Sequence, residues 1–250
     1  MRILVISDIH ANLIALEAVL ADAGQIDAAW CLGDLVGYGP DPNECISSVR
    51  NLPNLVCVIG NHDSAVLDQI DPYSFNSEAR QAIEWTKNAL TDASLIFLES
   101  LPETAEPQSI NHELDHQITL AHGSPRQPVW EYLLDLHNAT ENFDYFDTAY
   151  CFVGHTHLPI IFYYPDSLGP ARPVIPDPNS QVQLSPRAII NPGSVGQPRD
   201  RDPRASYMLY EPYDELIEYR RVEYDIHAVQ ERMMKARLPE RHIKRLEAGW

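Results

Sequence analysis

The first third of the chain repeats one pattern: a short apolar run, a turn bearing glycine or aspartate, then a stretch with apolar residues three and four apart. The run Arg2-Ile3-Leu4-Val5-Ile6 does not alternate with polar residues, which predicts a strand buried on both faces, and it leads into Ser7-Asp8. Asn12 then suits the N-cap of a helix with Leu13, Leu16, Val19 and Leu20 on one side. A second strand is predicted over residues 28–32, entering Gly33-Asp34. Asp41-Pro42-Asn43-Glu44 reads as an N-cap, a first-position proline and a capping-box acid, so a helix should run to about Arg50. A third strand, residues 55–59, ends at Gly60-Asn61-His62-Asp63. Strands and helices alternating over short connections describe a parallel sheet built from right-handed crossovers.

The pattern then changes. Residues 77–90 and 92–100 read as consecutive helices anchored by Trp85 and Phe97, and the stretch 73–100 is expected as a helical partial cap beside the site. Beyond Leu101-Pro102 the chain is strand-rich, with residues 108–111 and 117–121 as a hairpin ending in His122. Residues 149–153 form a strand ending in Gly154-His155-Thr156-His157, and 159–164 continue beyond it. Residues 165–187 hold six prolines and should be an irregular excursion, with Val182 and Leu184 in a short strand. Strands at 188–191, 206–211 and 215–222 follow; a helix over 226–238 closes the chain, interrupted by Pro239. No internal repeat or linker divides residues 1–250, so one α/β domain of two stacked sheets with helices outside is expected.

Composition changes this picture in three places. No apolar run reaches the length of a membrane span, and no basic segment with a cleavable apolar stretch opens the chain, so a cytoplasmic protein without membrane contact is expected. Cys31, Cys45, Cys57 and Cys151 are isolated from one another and read as small buried hydrophobes. The formal net charge of -18 argues against a nucleic-acid polymer as partner, whereas a small anionic substrate held by cations remains compatible. Six basic residues, Arg232, Lys235, Arg237, Arg241, Lys244 and Arg245, crowd the last turns and read as a solvated face or a contact for a subunit or anion.

The candidate chemistry lies in five clusters: Asp8-Ile9-His10, Gly33-Asp34, Gly60-Asn61-His62-Asp63, Ala121-His122-Gly123 and Gly154-His155-Thr156-His157. Four follow apolar strands directly, which puts them on loops at carboxyl ends of strands, where open sheets carry their sites. Carboxylate, amide and imidazole in this mixture suit two divalent ions held side by side, an arrangement that hydrolyses phosphate esters. One cluster alone would be an ordinary turn; the ordered set resembles the calcineurin-like metallophosphoesterase superfamily from Asp8 to about Val195. It looks most like small bacterial phosphodiesterases and phosphatases through residues 33–40 and Asn191-Pro192-Gly193-Ser194-Val195-Gly196-Gln197-Pro198-Arg199.

That resemblance implies a four-layer α/β/β/α sandwich with a small helical insertion. It implies that Asp8, His10 and His157 hold one metal ion, that Asn61, His122 and His155 hold the second, and that Asp34 bridges them. A hydroxide between the ions would attack phosphorus. His62 would be the acid at the leaving oxygen, with Asp63 orienting it. Mn or Fe is the expected metal, with Zn, Ni or Co also compatible with these ligands.

The expected substrate is a small phosphodiester or nucleotide phosphate, with Trp85 or Tyr73 available to stack on a base. A dinucleoside polyphosphate such as diadenosine tetraphosphate is the alternative. A protein serine/threonine phosphatase is disfavoured, because Leu35 and Ser64 stand where those enzymes carry arginines. A non-catalytic scaffold of the same fold is disfavoured by His62 and the complete ligand set. Arg199, Arg201 and Arg204 divide between phosphate contact and pairing with Asp200 and Asp202, and Tyr38 and Asn12 are candidates to line the pocket. His112, His116, His137, His227 and His242 match no motif and are expected at the surface. Oligomeric state is not legible.

Overall fold

The non-alternating apolar runs are strands covered on both faces, and the reason is visible in how their side chains divide. The structure is a computed structural model that describes residues 1–107, 118–164 and 169–250. One sheet has the order β3 (Val56–Cys57), β2 (Ala28–Cys31), β1 (Ile3–Ile6), β11 (Ala205–Glu211), β12 (Leu216–Val222) and β9 (Gln181–Gln183). The other runs β4 (Thr104–Ala105), β5 (Ile118–Ala121), β6 (Tyr150–Phe152), β10 (Ala188–Pro192), β7 (Pro159–Tyr163) and β8 (Arg172–Val174). In β1, Ile3 and Val5 face the second sheet, joining Trp30, Phe152, Ile190 and Tyr210 in the core between the sheets. Leu4 and Ile6 face outward, onto α1 (Leu13–Ala23) and α2 (Pro42–Arg50). In the second sheet, Cys151, Phe162 and Ile189 face outward toward α6 (Leu136–Asn142) through Ala139.

Both sheets are mixed. β1 pairs parallel with β2 and antiparallel with β11, while β6 lies parallel between β5 and β10. Helices outside each sheet complete the four-layer α/β/β/α sandwich; α4 (Ser77–Ala89) and α5 (Asp92–Glu99) lie in the stretch expected as the helical insertion, and α3 (Asn61–Val66) precedes them, opening on the candidate ligand Asn61. Among the described residues, no helix is long and apolar enough to cross a membrane. All four cysteines are free and buried.

Several predicted elements shift for identifiable reasons. The third strand shortens to Val56–Cys57: Val58 N–H still bonds the Cys31 carbonyl of β2, but Ile59 N–H turns away to Pro102, leading the chain toward the ligand loops. Asn12 caps α1 through Ala15 as expected, and Asp41 takes the N-cap position of α2 before Pro42, but without a side-chain capping bond: its carboxylate pairs with Arg232 at 3.1 Å. The strand over residues 108–111 lies outside the described residues, and β5 pairs instead with β4. Within the proline-rich stretch, Arg172–Val174 and Gln181–Gln183 extend opposite sheets as edge strands, where prolines are tolerated. The chain does not end its helices near Leu238. After α7 (Ile226–Lys235), Pro239 occupies the N-cap position of an additional helix, α8 (Glu240–Ala248).

Candidate metal centre

All the candidate ligands lie where the carboxyl ends of parallel strands from both sheets meet, and the loops carrying them are laced together. Asp8 N–H donates to Gly33, Gly154 N–H to His122, and Gly196 N–H to Asp8. Asn191 braces the histidine turn by donating to the Gly154 carbonyl at 2.6 Å and the Thr156 hydroxyl at 3.0 Å. Ser194 Oγ donates to the Asp8 carbonyl at 2.8 Å. Glycines permit this closeness: a Cβ on Gly60 would strike the Asp34 carboxylate, and one on Gly196 the Ile9 carbonyl. Asp8, His10, Asp34, His155 and His157 all hold left-handed backbone, with φ of 54, 49, 53, 64 and 61°. Non-glycine residues rarely adopt it, so five of the seven candidate ligands sit on strained backbone that the surrounding loops must hold in place.

Two groups of ligand atoms meet at Asp34. In the first, Asp8 Oδ1 lies 3.3 Å from His157 Nε2 and 3.8 Å from His10 Nε2, and the two imidazole nitrogens are 3.2 Å apart. In the second, His122 Nε2 lies 3.1 Å from both His155 Nδ1 and Asn61 Oδ1. Asp34 Oδ2 stands between them, 3.6 Å from His10 Nε2 and 3.5 Å from His122 Nε2. The other carboxylate oxygens are occupied: Asp34 Oδ1 accepts from His62 N–H, and Asp8 Oδ2 from Ser7 Oγ and His155 N–H. Asp8 Oδ1, though buried, has no hydrogen-bond partner.

The hydrogen bonds behind the rings fix what the inward atoms are. His10 Nδ1 meets the Val36 carbonyl, His122 Nδ1 that of Leu32, His157 Nδ1 that of Gln197 and His155 Nε2 that of Trp130. A carbonyl only accepts, so each of these nitrogens carries the hydrogen and the opposite nitrogen of a neutral ring presents a lone pair. Burial holds His10, His155 and His157 well below the usual imidazole range, so the rings are neutral. Lone pairs facing one another at 3.1–3.2 Å, beside an unpartnered carboxylate oxygen, repel unless a cation lies between them. Burial also pushes Asp8 up to about 7 and Asp34 well above its ordinary value, with the charge of Asp63 adding to the latter; a cation reverses both effects. The residues present therefore fit divalent metal.

His62, on the first turn of α3, stands beside both groups. Its ring lies 5.0 Å from that of His10, edge-on, and packs between Tyr38 at 4.4 Å and Phe75 at 5.0 Å. A ring nitrogen also lies within ligand distance of His10 and Asp34, a third grouping of candidate donors. Among the described residues, no hydrogen bond joins the Asp63 carboxylate to the His62 ring. The Asp63 carboxylate accepts from Leu35, Val36 and Gly60 N–H groups, and His62 Nδ1 is buried without a partner, so Asp63 ties two ligand loops together while aromatic packing holds the ring.

The pocket walls differ from expectation. Tyr73 is exposed under Arg80, and Trp85 packs against the cluster holding α4, α7 and α8, so neither faces the ligands. Phe75, Trp130 and Tyr132 do: Phe75 bridges His62 and Trp130, and Tyr132 lies over His155 at 3.8 Å. The sequence signal for them was the aromatic pair of Trp130 and Tyr132 just after His122, in a stretch with no helix or strand periodicity. Tyr38 and Asn12 line a small cleft with His10 and Gln197. His242 is buried rather than exposed, its ring 4.5 Å from Tyr38. His137 and His227 are exposed as expected, and His112 and His116 lie outside the described residues.

A two-sheet sandwich with carboxylate, amide and imidazole donors on these strand-end loops defines a metallophosphoesterase. Residues 1–215 match the calcineurin-like phosphoesterase superfamily domain. The chain is 48% identical to a metallophosphoesterase from Sphaerobacter thermophilus whose crystal structure superposes with a TM-score of 0.89, covering 100% of this chain and 99% of that one. It is 41% identical to an uncharacterized protein of Methanocaldococcus jannaschii, over 99% of this chain and 98% of that protein. A shorter similarity, 39% over 66 residues, joins it to the symmetrical bis(5'-nucleosyl)-tetraphosphatase of Pectobacterium carotovorum, covering 25% of this chain and 24% of that protein. The chain belongs to the calcineurin-like phosphoesterase superfamily and is a phosphoric ester hydrolase.

Proposed function

We propose that the protein is a dinuclear metal-dependent phosphoesterase acting on small phosphodiesters or nucleotide phosphates. The observation that carries this reading is the convergence of two donor groups on the single oxygen Asp34 Oδ2. Asp8, His10 and His157 would hold one ion, Asn61, His122 and His155 the other, and Asp34 both. Divalent ions bound there would supply a water-derived nucleophile at neutral pH and would neutralise charge on the phosphoryl oxygens. Mn and Fe suit the donors, as do Zn, Co and Ni.

The chain's own residues do the rest. The backing carbonyls keep the inward nitrogens deprotonated, and the laced loops hold them in place before substrate arrives. His62 is the donor to the leaving oxygen. Burial keeps its pKa well below the usual imidazole range, so it meets that oxygen as a neutral N–H group. Phe75, Trp130 and Tyr132 exclude water and offer flat faces to a nucleobase or aryl group.

The similarity to the symmetrical tetraphosphatase favours a second reading, hydrolysis of a dinucleoside polyphosphate at the same centre. A product assay on bis-p-nitrophenyl phosphate, a cyclic nucleotide and diadenosine tetraphosphate tests both. Metal-dependent turnover of at least one is expected; bound metal with no hydrolysis of any ester would contradict the proposal and favour a scaffold.

A further inference from the structure

The charged pairs outside the ligand set differ in what they hold. Arg204 forks onto Asp202, with Nε at 2.9 Å and Nη2 at 2.6 Å, one of the two outcomes the sequence allowed for it. Glu131 lies instead in residues 122–135, which form neither helix nor strand and run from the ligand His122 to α6. Its carboxylate accepts from Ser124 Oγ at 2.6 Å, from Asn142 Nδ2 at 3.0 Å and from both Nε and Nη2 of Arg126. Arg126 in turn reaches α6 twice, donating its main-chain N–H to Asn142 Oδ1 at 3.0 Å and Nη1 to Glu141 at 2.6 Å. Asn142 is fully buried, so removing the carboxylate leaves one of its N–H groups without an acceptor where water does not reach.

The neighbours of Glu131 in the chain face the metal centre. The Trp130 carbonyl is the acceptor behind His155 Nε2, at 3.1 Å, and the Tyr132 ring lies over the same imidazole at 3.8 Å. His155 is the one ligand ring that turns Nδ1 inward, and the carbonyl behind it keeps the hydrogen on Nε2 and that inward lone pair free. Apolar burial does not fix this carbonyl: of residues 130–134 only Leu133 is buried, while Tyr132 and Leu134 are exposed. The other three backing carbonyls are held elsewhere. Leu32 bonds Ile6 through its N–H, Val36 N–H is held by Asp63, and Gln197 N–H by Ser194 Oγ at 2.8 Å. The loop also begins at His122, where Gly123 packs so closely on Glu131 that a Cβ there would lie 2.9 Å from the Glu131 nitrogen. Both ligands that the loop touches, His122 and His155, belong to the same donor group.

We propose that Glu131 is a positioning residue: through the Trp130 carbonyl it fixes the His155 ring, and so sets the affinity of the ion assigned to Asn61, His122 and His155 without contacting it. The inference rests on the metal-centre reading above. Its test is Mn titration of the full chain, with unbound Mn read by electron paramagnetic resonance. Glu131→Gln and Glu131→Asp are each placed in His157→Ala, where the ion of Asn61, His122 and His155 remains, and in His155→Ala, where the other ion remains. In His157→Ala, glutamine should weaken Mn binding at least about tenfold and aspartate should recover part of that loss, whereas in His155→Ala neither should change it more than about twofold. Melting temperatures within a few degrees of the parent show that the variants fold, and Ser124→Ala, which removes one donor to the Glu131 carboxylate, serves if the glutamine variant does not. Undiminished affinity in His157→Ala, or an equal loss in both backgrounds, overturns the role of Glu131 and leaves the metal-centre reading standing. Fewer than two ions bound by the wild type, read in the same titration without any change at Glu131, contradicts the metal-centre reading and this inference with it.

Discussion

At the scale of single residues, the centre depends on donors whose second atoms are already committed. His62 is the exception, because neither a carbonyl nor a carboxylate fixes its ring. His62→Ala should retain metal, measured by elemental analysis, and lose about 100-fold in kcat on an alkyl phosphodiester. Unchanged turnover would remove His62 from the reaction, and loss of metal would make it a ligand through its grouping with His10 and Asp34. Gly60→Ala forces a methyl into the Asp34 carboxylate, so denaturant unfolding should show a loss of about 1–3 kcal/mol together with weakened metal binding. The candidate ligand set was legible because four of its five clusters follow apolar strands directly and their order along the chain is distinctive. The role of Asp63 was not, since three main-chain N–H groups from two loops compete for its carboxylate, and only the fold brings them there.

At the scale of elements, α8 is the least legible and the most consequential. Its residues are mostly charged and follow a proline, a pattern that reads as a helix end, yet His242, Ile243 and Leu246 turn inward onto the cluster with Tyr38, Val229 and Met233. Tertiary packing decides the matter, aided by Gln230 donating to the Ile243 carbonyl at 3.0 Å. His242 gives this docking a pH signature. Burial pushes its folded pKa down to about 4 from 6.5, so below pH 6.5 the unfolded chain binds a proton that the folded chain does not. Stability should therefore fall as pH drops from 6.5 to about 4, by up to about 1.4 kcal/mol per pH unit from this group. His242→Phe should flatten that part of the profile by one proton in urea denaturation; an unchanged slope would place the acid sensitivity elsewhere. The loop carrying Trp130 was hidden for a related reason: it is held by Arg126 pairing with Glu131 and Glu141, not by periodic apolar contacts.

At the scale of the whole molecule, two sheets were legible from non-alternating apolar runs, while their edges were not, because β4, β8 and β9 are only two or three residues long and take their identity from the strands they join. The stacked sheets bring loops from both halves of the chain to one edge, so metal at that edge should cross-brace the fold. Chelation should lower the melting temperature by about 5–10 °C, as expected for a ligand held at about 100 times its Kd, and adding Mn back should restore it. The proposed centre depends on Asp34 joining two cation sites. Its most direct test is the number of Mn ions bound per chain after chelator treatment and equilibrium dialysis, in the wild type, His157→Ala and His155→Ala. Two ions are expected in the wild type and one in each variant. A single ion in the wild type, or two retained in both variants, would contradict it.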